Sequence, residues 1–265
     1  MLTTIETTLT PASAINQMRL NRMHRLRNEL SNRRHPISFF YLRLKILIEW
    51  MISLALVVTT APILLALTLV VRITSRGPAF YSQTRLGQNG RQYRMYKIRT
   101  MVHDAEAASG PVWASKEDAR ITPIGKILRD THLDELPQLL NVLRGEMSLI
   151  GPRPERPELA VRIQQEIPEF HLRLLLRPGI TGLAQMLLPA DDPADSKLTG
   201  LRKKLSHDLY YIRHVGFLLD VKIYCSTACH FLAGAIDALR GYLVGSYTIA
   251  AQTEMCIDDI SEESL

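Results

Sequence analysis

The sequence predicts a mostly helical α+β protein, anchored to a membrane by a re-entrant, proline-broken helix and carrying a compact cytosolic domain with a small β-hairpin. Three observations predict this class. Residues 52–71 form an uncharged apolar run, the dipeptide Asn89-Gly90 separates two short segments, and leucines recur at helical spacing from Leu136 onward. The apolar fraction of 46% in 265 residues is enough to build a core and excludes a disordered protein.

The apolar run ISLALVVTTAPILLALTLVV at 52–71 is long enough to span the hydrocarbon core as one helix. Pro62 lies near its middle, where a proline removes a backbone hydrogen bond and clashes with the preceding turn. The hydroxyls of Thr59 and Thr60 can satisfy the carbonyls that such a break exposes. Both flanks are rich in arginine, and positive charge marks the cytoplasmic side of a membrane segment. A helix broken at Pro62 that returns to the same face is therefore predicted, with a straight span as the alternative.

Composition divides the chain into an arm, an anchor, a core, an extension and a tail. The extension is apolar but interrupted by Asp220 and Lys222, which favours a packed or interfacial helix over a spanning one. The predicted segments are a basic N-terminal arm at 1–42, the re-entrant membrane helix at 43–73, the core at 74–188, a C-terminal helical extension at the membrane surface at 189–248, and an acidic tail at 249–265.

The charge balance narrows the class of partner. A formal net charge of +6 and a pI of about 9.3 suggest nucleic acid, anionic lipid or a phosphorylated ligand. The sequence resembles neither a groove-reading helix nor a base-stacking platform, so nucleic acid is not expected. Three cysteines do not make a disulfide framework. Cys225 and Cys229 with His230 lack a fourth ligand, and no metal is assigned to them.

A hairpin is predicted within residues 75–101, because Asn89-Gly90 favours a tight turn between two strands. In the second strand a period of two puts Lys97 and Arg99 on the same face. Two cations on one strand face can hold a phosphate. A solvated strand edge is the alternative, and this segment alone favours it.

The stretch THLDELPQLLNVLRGEMSLIGPRPE at 131–155 places two adjacent carboxylates, Asp134 and Glu135, at the mouth of a helix that ends at Gly145. Carboxylates at a helix N-terminus are favoured by the backbone dipole, so capping is their simplest role. One buried face of the helix is predicted from the leucines at i, i+3, i+4 and i+7, namely Leu136, Leu139, Leu140 and Leu143.

Basic residues near this pair suggest a second role. Arg129 precedes the pair, and Arg153 follows it between two prolines that restrict its backbone. Adjacent residues point in different directions, so one carboxylate can face a substrate phosphorus while the other binds Mg²⁺ through oxygen. An aspartate can attack phosphorus to form a phospho-aspartyl intermediate. For Arg153, a guanidinium preorganised for phosphate and an ordinary surface turn both stay open.

With these residues assembled, the chain resembles the bacterial sugar transferases of the monotopic polyprenyl-phosphate phosphoglycosyl transferase superfamily, of the undecaprenyl-phosphate hexose-1-phosphate transferase type. The matching stretches cover most of residues 75–186 in family order: RGPAFYSQTRLGQNG, YKIRTMVHDAE, DARITPIGKILRDTHLDELPQLLNVLRGEMSLIGPRPE and RPGITGLAQ. The resemblance implies transfer of a sugar 1-phosphate from a UDP-sugar donor to an undecaprenyl phosphate acceptor. It implies that this transfer initiates polysaccharide or glycoconjugate synthesis at the cytoplasmic face of the inner membrane. A homo-oligomer is an open alternative to a single copy.

The resemblance also implies roles for the site residues. By matching motif positions, Asp134 is expected to be the nucleophile, and Glu135 is expected to bind Mg²⁺ and shape the pair, with Asp134 as a second metal ligand. The basic residues expected to hold substrate phosphates are Lys97, Arg129 and Arg153, with Arg99 as a further candidate.

Two departures from the family pattern concern the anchor and the end of the core. The family anchor breaks at a proline that usually follows a serine, whereas Ala61 precedes Pro62 here. After GLAQ many members continue with VNGR, whereas this chain has MLLPADDPADS, so the choice of sugar is not predicted.

Two other classes of protein are compatible with the same residues. A metal-dependent hydrolase of nucleotide sugars or lipid diphosphates would release sugar phosphate without a lipid acceptor. A non-catalytic membrane scaffold would keep its function when Asp134 and Glu135 are both neutralised.

Overall fold

The computed structural model of the chain describes residues 39–105, 118–188 and 198–244, with side chains described as far as Phe231. Most of the predicted basic arm, most of the loop that follows the core and the acidic tail lie outside the described residues.

The first helix, α1 (Phe39–Thr74), is a single 36-residue element, about 54 Å long at 1.5 Å per residue. Its most apolar 18-residue stretch has a mean hydropathy of 2.5, so the helix is long and apolar enough to cross a membrane. The helix runs through Pro62 without interruption, so the predicted backbone break is wrong. A proline removes one donor, and the hydroxyls of Thr59 and Thr60 bond carbonyls one turn earlier, at Ala55 and Leu56. Such hydroxyl bonds accompany bends rather than breaks.

The predicted hairpin is confirmed. Strands β1 (Phe80–Leu86) and β2 (Gln92–Ile98) pair antiparallel, with Phe80 opposite Ile98 and Leu86 opposite Gln92. The turn between them is a short 3₁₀ segment in which Asn89 and Gly90 have φ of 58° and 75°. Both values are left-handed, a conformation that Asn and Gly tolerate best, and this explains the dipeptide.

The middle of the chain is made of short elements that surround the hairpin. Gly145, with φ of 74°, follows the α3 helix as predicted. The elements are α2 (Pro123–Asp130), a 3₁₀ turn (Leu133–Glu135), α3 (Gln138–Leu143), β3 (Ser148–Ile150), α4 (Pro157–Glu166), a 3₁₀ segment (Pro168–Leu175), β4 (Gly179–Thr181) and α5 (Leu183–Leu187).

The buried face of α3 differs from the predicted row of leucines. Leu139 is buried, but Leu140 is 38% exposed. Asn141 is fully buried, and its polar atoms are satisfied by β2. Its amide nitrogen donates to the Arg94 carbonyl at 2.7 Å, and its oxygen accepts from the Tyr96 N–H at 3.2 Å. The helix is therefore fixed to β2 by a polar side chain that the apolar spacing does not reveal.

Strands β3 and β4 form a parallel pair that the sequence does not indicate. Each strand has three residues, too few to show a period of two. Gly151 lies between the two backbones, where a Cβ would come within 2.4 Å of the Arg177 carbonyl. The pair leads directly into the proline-framed turn at Arg153.

The chain after the core forms two helices, α6 (Leu198–His214) and α7 (Phe217–Val244), which are separated at Gly216. Asp220 is buried because it accepts hydrogen bonds from Tyr41 (2.6 Å), Lys45 (2.8 Å) and Tyr211 (2.7 Å). The charge that interrupts the apolar stretch thus packs α7 against the first part of α1.

A second buried carboxylate joins α1 to the core. Glu49 accepts from Lys45 at 2.6 Å, from the Ser148 hydroxyl at 2.5 Å and from the Ile150 N–H at 3.2 Å. The Tyr224 hydroxyl of α7 also donates to Glu49, at 3.2 Å. The anchor helix, β3 and α7 therefore share one buried polar network.

Candidate active site

The two adjacent carboxylates lie in the 3₁₀ turn between α2 and α3. His132 begins this turn in the left-handed conformation, with φ of 54°. On one side Leu133 packs against the buried cluster of Val71, Ile98 and Leu128, and on the other Leu136 packs against a second cluster that contains Met95. Apolar contacts on both sides therefore fix the direction of the residues between them.

Cations from two other elements reach this turn. Lys97, in β2, places its Nζ 2.7 Å from Glu135 Oε1 and 3.6 Å from Asp134 Oδ2. Arg153, after β3, donates through Nη2 to the same Glu135 oxygen at 3.1 Å. The structure therefore brings Asp134, Glu135, Lys97 and Arg153 together, as the motif positions suggested.

The electrostatics separate the two carboxylates. Burial by itself would raise the pKa of Glu135, but Lys97 and Arg153 outweigh it and hold that pKa far below the usual value. Burial raises the pKa of Asp134, and the charge of Glu135 adds to this effect while Lys97 opposes it. Glu135 is a fixed anion that neutralises both cations. Asp134 is a buried, lightly paired carboxylate whose charge is less stabilised and whose oxygens are more basic.

Arg129, in the last turn of α2, is a further cation near this pair. Its Nε donates to the Thr100 hydroxyl at 2.9 Å, and it forms no ion pair with a described residue. Its positive charge lowers the pKa of Asp134. The position of α2 depends on Gly125, where a Cβ would come within 2.0 Å of the Thr100 carbonyl oxygen. Helix α2 can therefore lie directly on the end of the hairpin, which sets Arg129 beside the site.

Arg99 is directed elsewhere. It lies just after β2 and donates through Nη2 to the carbonyl of Ser75, the residue after α1, at 2.9 Å. No contact joins it to Asp134 or Glu135 among the described residues. The strand period places Lys97 and Arg99 on one face, but the strand ends between them and only Lys97 reaches the carboxylates.

Charged side chains from several elements fix the turn that holds Arg153. Glu155 accepts from Lys204 at 2.9 Å and from Arg173 at 3.4 Å. Arg85, in β1, donates to the carbonyl of Pro154 at 3.0 Å. These partners are scattered along the chain, so no local pattern indicates them. Together they hold the guanidinium of Arg153 over Glu135, with 42% of its side chain exposed.

Helix α7 also reaches the turn. The ring of His132 lies edge-on to Phe231, with centroids 5.5 Å apart, and 6.2 Å from the ring of His230. The C-terminal extension therefore contacts the residue that begins the 3₁₀ turn. No sequence signal separates His132 from an ordinary surface histidine.

The carboxylate pair fits a hard divalent cation. Glu135 uses Oε1 for both cations and Asp134 uses Oδ2 for Lys97, so one oxygen of each carboxylate has no partner among the described residues. Mg²⁺ is commonly held by one or two carboxylates together with substrate phosphates. The described part of the chain contains no cluster of three or more metal-binding side chains. Any Mg²⁺ held here would therefore depend on substrate oxygens as well.

Comparison with known proteins gives one family and several relatives. Residues 40–234 match the sequence profile of the bacterial sugar transferase family. A UDP-N-acetylgalactosamine-undecaprenyl-phosphate N-acetylgalactosaminephosphotransferase of Aeromonas hydrophila is 40% identical over 174 residues, 66% of this chain and 40% of the relative. The exopolysaccharide production protein PSS of Rhizobium leguminosarum bv. phaseoli is 41% identical over 181 residues, 66% of this chain and 88% of the relative.

A third relative is the UDP-glucose:undecaprenyl-phosphate glucose-1-phosphate transferase of Caulobacter vibrioides (strain ATCC 19089 / CIP 103742 / CB 15). It is 41% identical over 167 residues, which cover 63% of this chain and 61% of the relative. The match thus spans less than two thirds of the Aeromonas and Caulobacter proteins but most of the Rhizobium protein.

Proposed function

The chain belongs to the bacterial sugar transferase family, and on that premise we propose that it is a phosphoglycosyl transferase acting at a membrane. It transfers a sugar 1-phosphate from a UDP-sugar to undecaprenyl phosphate and so initiates polysaccharide or glycoconjugate synthesis. The observation that carries this proposal is the division of the carboxylate pair. Glu135 neutralises Lys97 and Arg153, while the buried Asp134 keeps a more basic carboxylate.

In the first half-reaction, an oxygen of Asp134 attacks the phosphorus that bears the sugar. The bond from that phosphorus to the UMP oxygen breaks, UMP leaves, and Asp134 carries the phospho-sugar. Lys97, Arg129 and Arg153 balance the charge that would otherwise keep a carboxylate away from a diphosphate. Glu135 holds Lys97 and Arg153 in place for this purpose.

In the second half-reaction, an oxygen of the lipid phosphate attacks the same phosphorus. The bond to Asp134 breaks, the carboxylate is regenerated, and the product is a lipid diphosphate sugar. Mg²⁺ held by Asp134 and Glu135 together with substrate oxygens would neutralise phosphate charge in the site.

The contacts of α1 support a monotopic arrangement on the inner membrane, with the core on the cytoplasmic face. The helix touches the rest of the protein at Lys45, Glu49, Trp50, Val57 and Val71. A helix that crosses the bilayer needs roughly 20 residues clear of the soluble domain. These contacts recur along the helix, which supports an arrangement with both of its ends on the same side, as the basic flanks predict.

A half-reaction assay tests the proposed nucleophile. Purified protein is mixed with UDP-glucose or UDP-N-acetylgalactosamine, the donors in the relatives' names, and UMP release is measured without and with undecaprenyl phosphate. We expect one equivalent of UMP without acceptor and a phospho-sugar bound to the protein. Asp134→Asn should lose both, whereas Asp130→Asn, an exposed aspartate at the end of α2, should keep both. Substantial turnover by Asp134→Asn would refute the assignment, and free sugar phosphate without acceptor would indicate a hydrolase.

A further inference from the structure

Arg99 is a buried cation whose charge is not matched by a carboxylate. It is 6% exposed, and it forms no ion pair with any described residue. Nη2 donates to the carbonyl and hydroxyl oxygens of Ser75, but Nε and Nη1 have no hydrogen-bond partner among the described residues. Arg173, which is also buried, pairs with Glu155 and Asp208. Two buried donors without a partner can bind further acceptor oxygens, and the positive charge favours an anion.

A second arginine lies beside this one. Arg72, in the last turn of α1, donates to the carbonyl of Gly77 at 2.6 Å. Burial lowers the pKa of Arg99, and the positive charge of Arg72 lowers it further. Gly77 covers Arg99, since a Cβ there would come within 2.3 Å of Nη1. With φ of 107°, Gly77 has a backbone that other residues rarely adopt. A glycine, the one residue that adopts this backbone freely, thus lies directly against Nη1.

The surroundings of these arginines suit an amphiphile. The arginines meet where the apolar anchor helix ends, and large apolar side chains around them are exposed: Ile73 by 75%, Phe80 by 49% and Val102 by 48%. A soluble nucleotide has no hydrocarbon chain that could pack against such side chains. A phosphate attached to a hydrocarbon chain satisfies both the cations and the apolar surface, because its tail can remain in the membrane.

The position relative to the nucleophile is also suitable. Arg99 follows Lys97 by two residues in nearly extended chain, so their Cα atoms are roughly 7 Å apart, and Lys97 contacts Asp134 directly. A phosphate bound at Arg99 therefore lies next to the strand end that carries Lys97.

We propose that Arg99 and Arg72 form the subsite for the phosphate of the polyprenyl acceptor, separate from the cations that bind the donor. This inference rests on the proposed function. Binding requires the Ser75–Gly77 loop to move so that Nε and Nη1 become accessible to phosphate oxygens. An oxygen of the bound phosphate then attacks the phospho-sugar on Asp134, and the carboxylate leaves.

The two half-reactions separate this subsite from the donor site. Protein in lipid nanodiscs is first loaded with UDP-sugar, and the bound phospho-sugar is then chased with increasing undecaprenyl phosphate. The variants are Arg99→Lys, which keeps a charge but loses the unpaired donors, and Arg72→Ala, which alters an exposed side chain. Arg94→Ala, on the exposed face of the same hairpin, is the control.

We expect both variants to release the first equivalent of UMP at the rate of the unaltered protein, which also shows that they fold. The acceptor concentration for half-maximal transfer should rise by roughly ten- to a hundredfold, since each lost charge-assisted hydrogen bond is worth about one to two powers of ten. Arg94→Ala should change neither step. An equal loss in both half-reactions, or an unchanged dependence on acceptor, would overturn the inference.

Two further outcomes are distinguishable. If the site instead binds a bulk phospholipid headgroup, the variants will lose binding to phosphatidylglycerol vesicles while their acceptor dependence stays normal, which overturns the acceptor assignment. If the unaltered protein releases no UMP from any UDP-sugar, the proposed function itself fails, and the inference fails with it.

Discussion

Replacing Glu155 with glutamine removes one negative charge from the buried cluster that fixes the Arg153 turn. The cluster contains three cations, Arg85, Arg173 and Lys204, and two carboxylates, Glu155 and Asp208. Burial alone would raise the pKa of Glu155, but Lys204 and then Arg173 lower it to about 2 from the ordinary value of 4.5. The substitution leaves these cations with Asp208 alone.

The depressed pKa of Glu155 gives the size of its contribution to stability. A difference of about 2.5 between the unfolded and folded values corresponds to about 3 kcal/mol of stability at neutral pH. The loss of stability caused by Glu155→Gln is at most this large, because removing the charge of Glu155 also relieves the like-charge repulsion that raises the pKa of Asp208. Since the folded pKa is depressed, the contribution is complete above pH 4.5 and is lost as the pH falls towards 2. At pH 3 less than half of it should remain.

Thermal unfolding in detergent, followed by circular dichroism, measures this contribution. A loss of about 3 kcal/mol lowers the Tm of a protein of this size by about 6 to 12 °C at pH 7. Glu158→Gln is the matched control, because Glu158 lies three residues later and 54% of its side chain is exposed. Its ion pair with Arg156 is long, at 3.7 Å, and an exposed pair of this kind adds little stability. The reasoning is refuted if Glu155→Gln melts with the unaltered protein, or if the difference in Tm does not shrink between pH 6 and pH 3.

Three other predictions concern the site and the anchor. The first half-reaction should fail on acidification at a pH above the 3.8 of an ordinary aspartate, because burial and Glu135 raise the pKa of Asp134. In Glu135→Gln the first half-reaction should fail only at a lower pH. An unchanged dependence of its rate on pH would contradict the coupling of the two carboxylates. Excess chelator should stop transfer and added Mg²⁺ restore it, whereas full activity in chelator would exclude the metal. Single cysteines at Phe40 and Phe80, without the native cysteines, should both resist an impermeant periplasmic reagent, and labelling at Phe40 alone would establish a crossing helix.

Local patterns in the sequence predicted much of the fold. The apolar run gave the position of α1, Asn89-Gly90 gave the hairpin, and Gly145 marked the end of α3, because period and turn chemistry act over a few residues. The parallel pair of β3 and β4 escaped because three-residue strands show no period. The break at Pro62 was overestimated, since one missing donor does not end a long apolar helix.

The candidate site shows the same division. The local sequence shows that two adjacent carboxylates precede a helix and that an arginine between prolines follows it. In the folded protein Glu135 pairs with both Lys97 and Arg153, which leaves Asp134 lightly paired, and Arg99 points towards the end of α1. These contacts join residues that are far apart in the sequence. Charge pairing depends on which elements meet in space, and contacts such as Lys45 with Asp220, 175 residues apart, have no local signature.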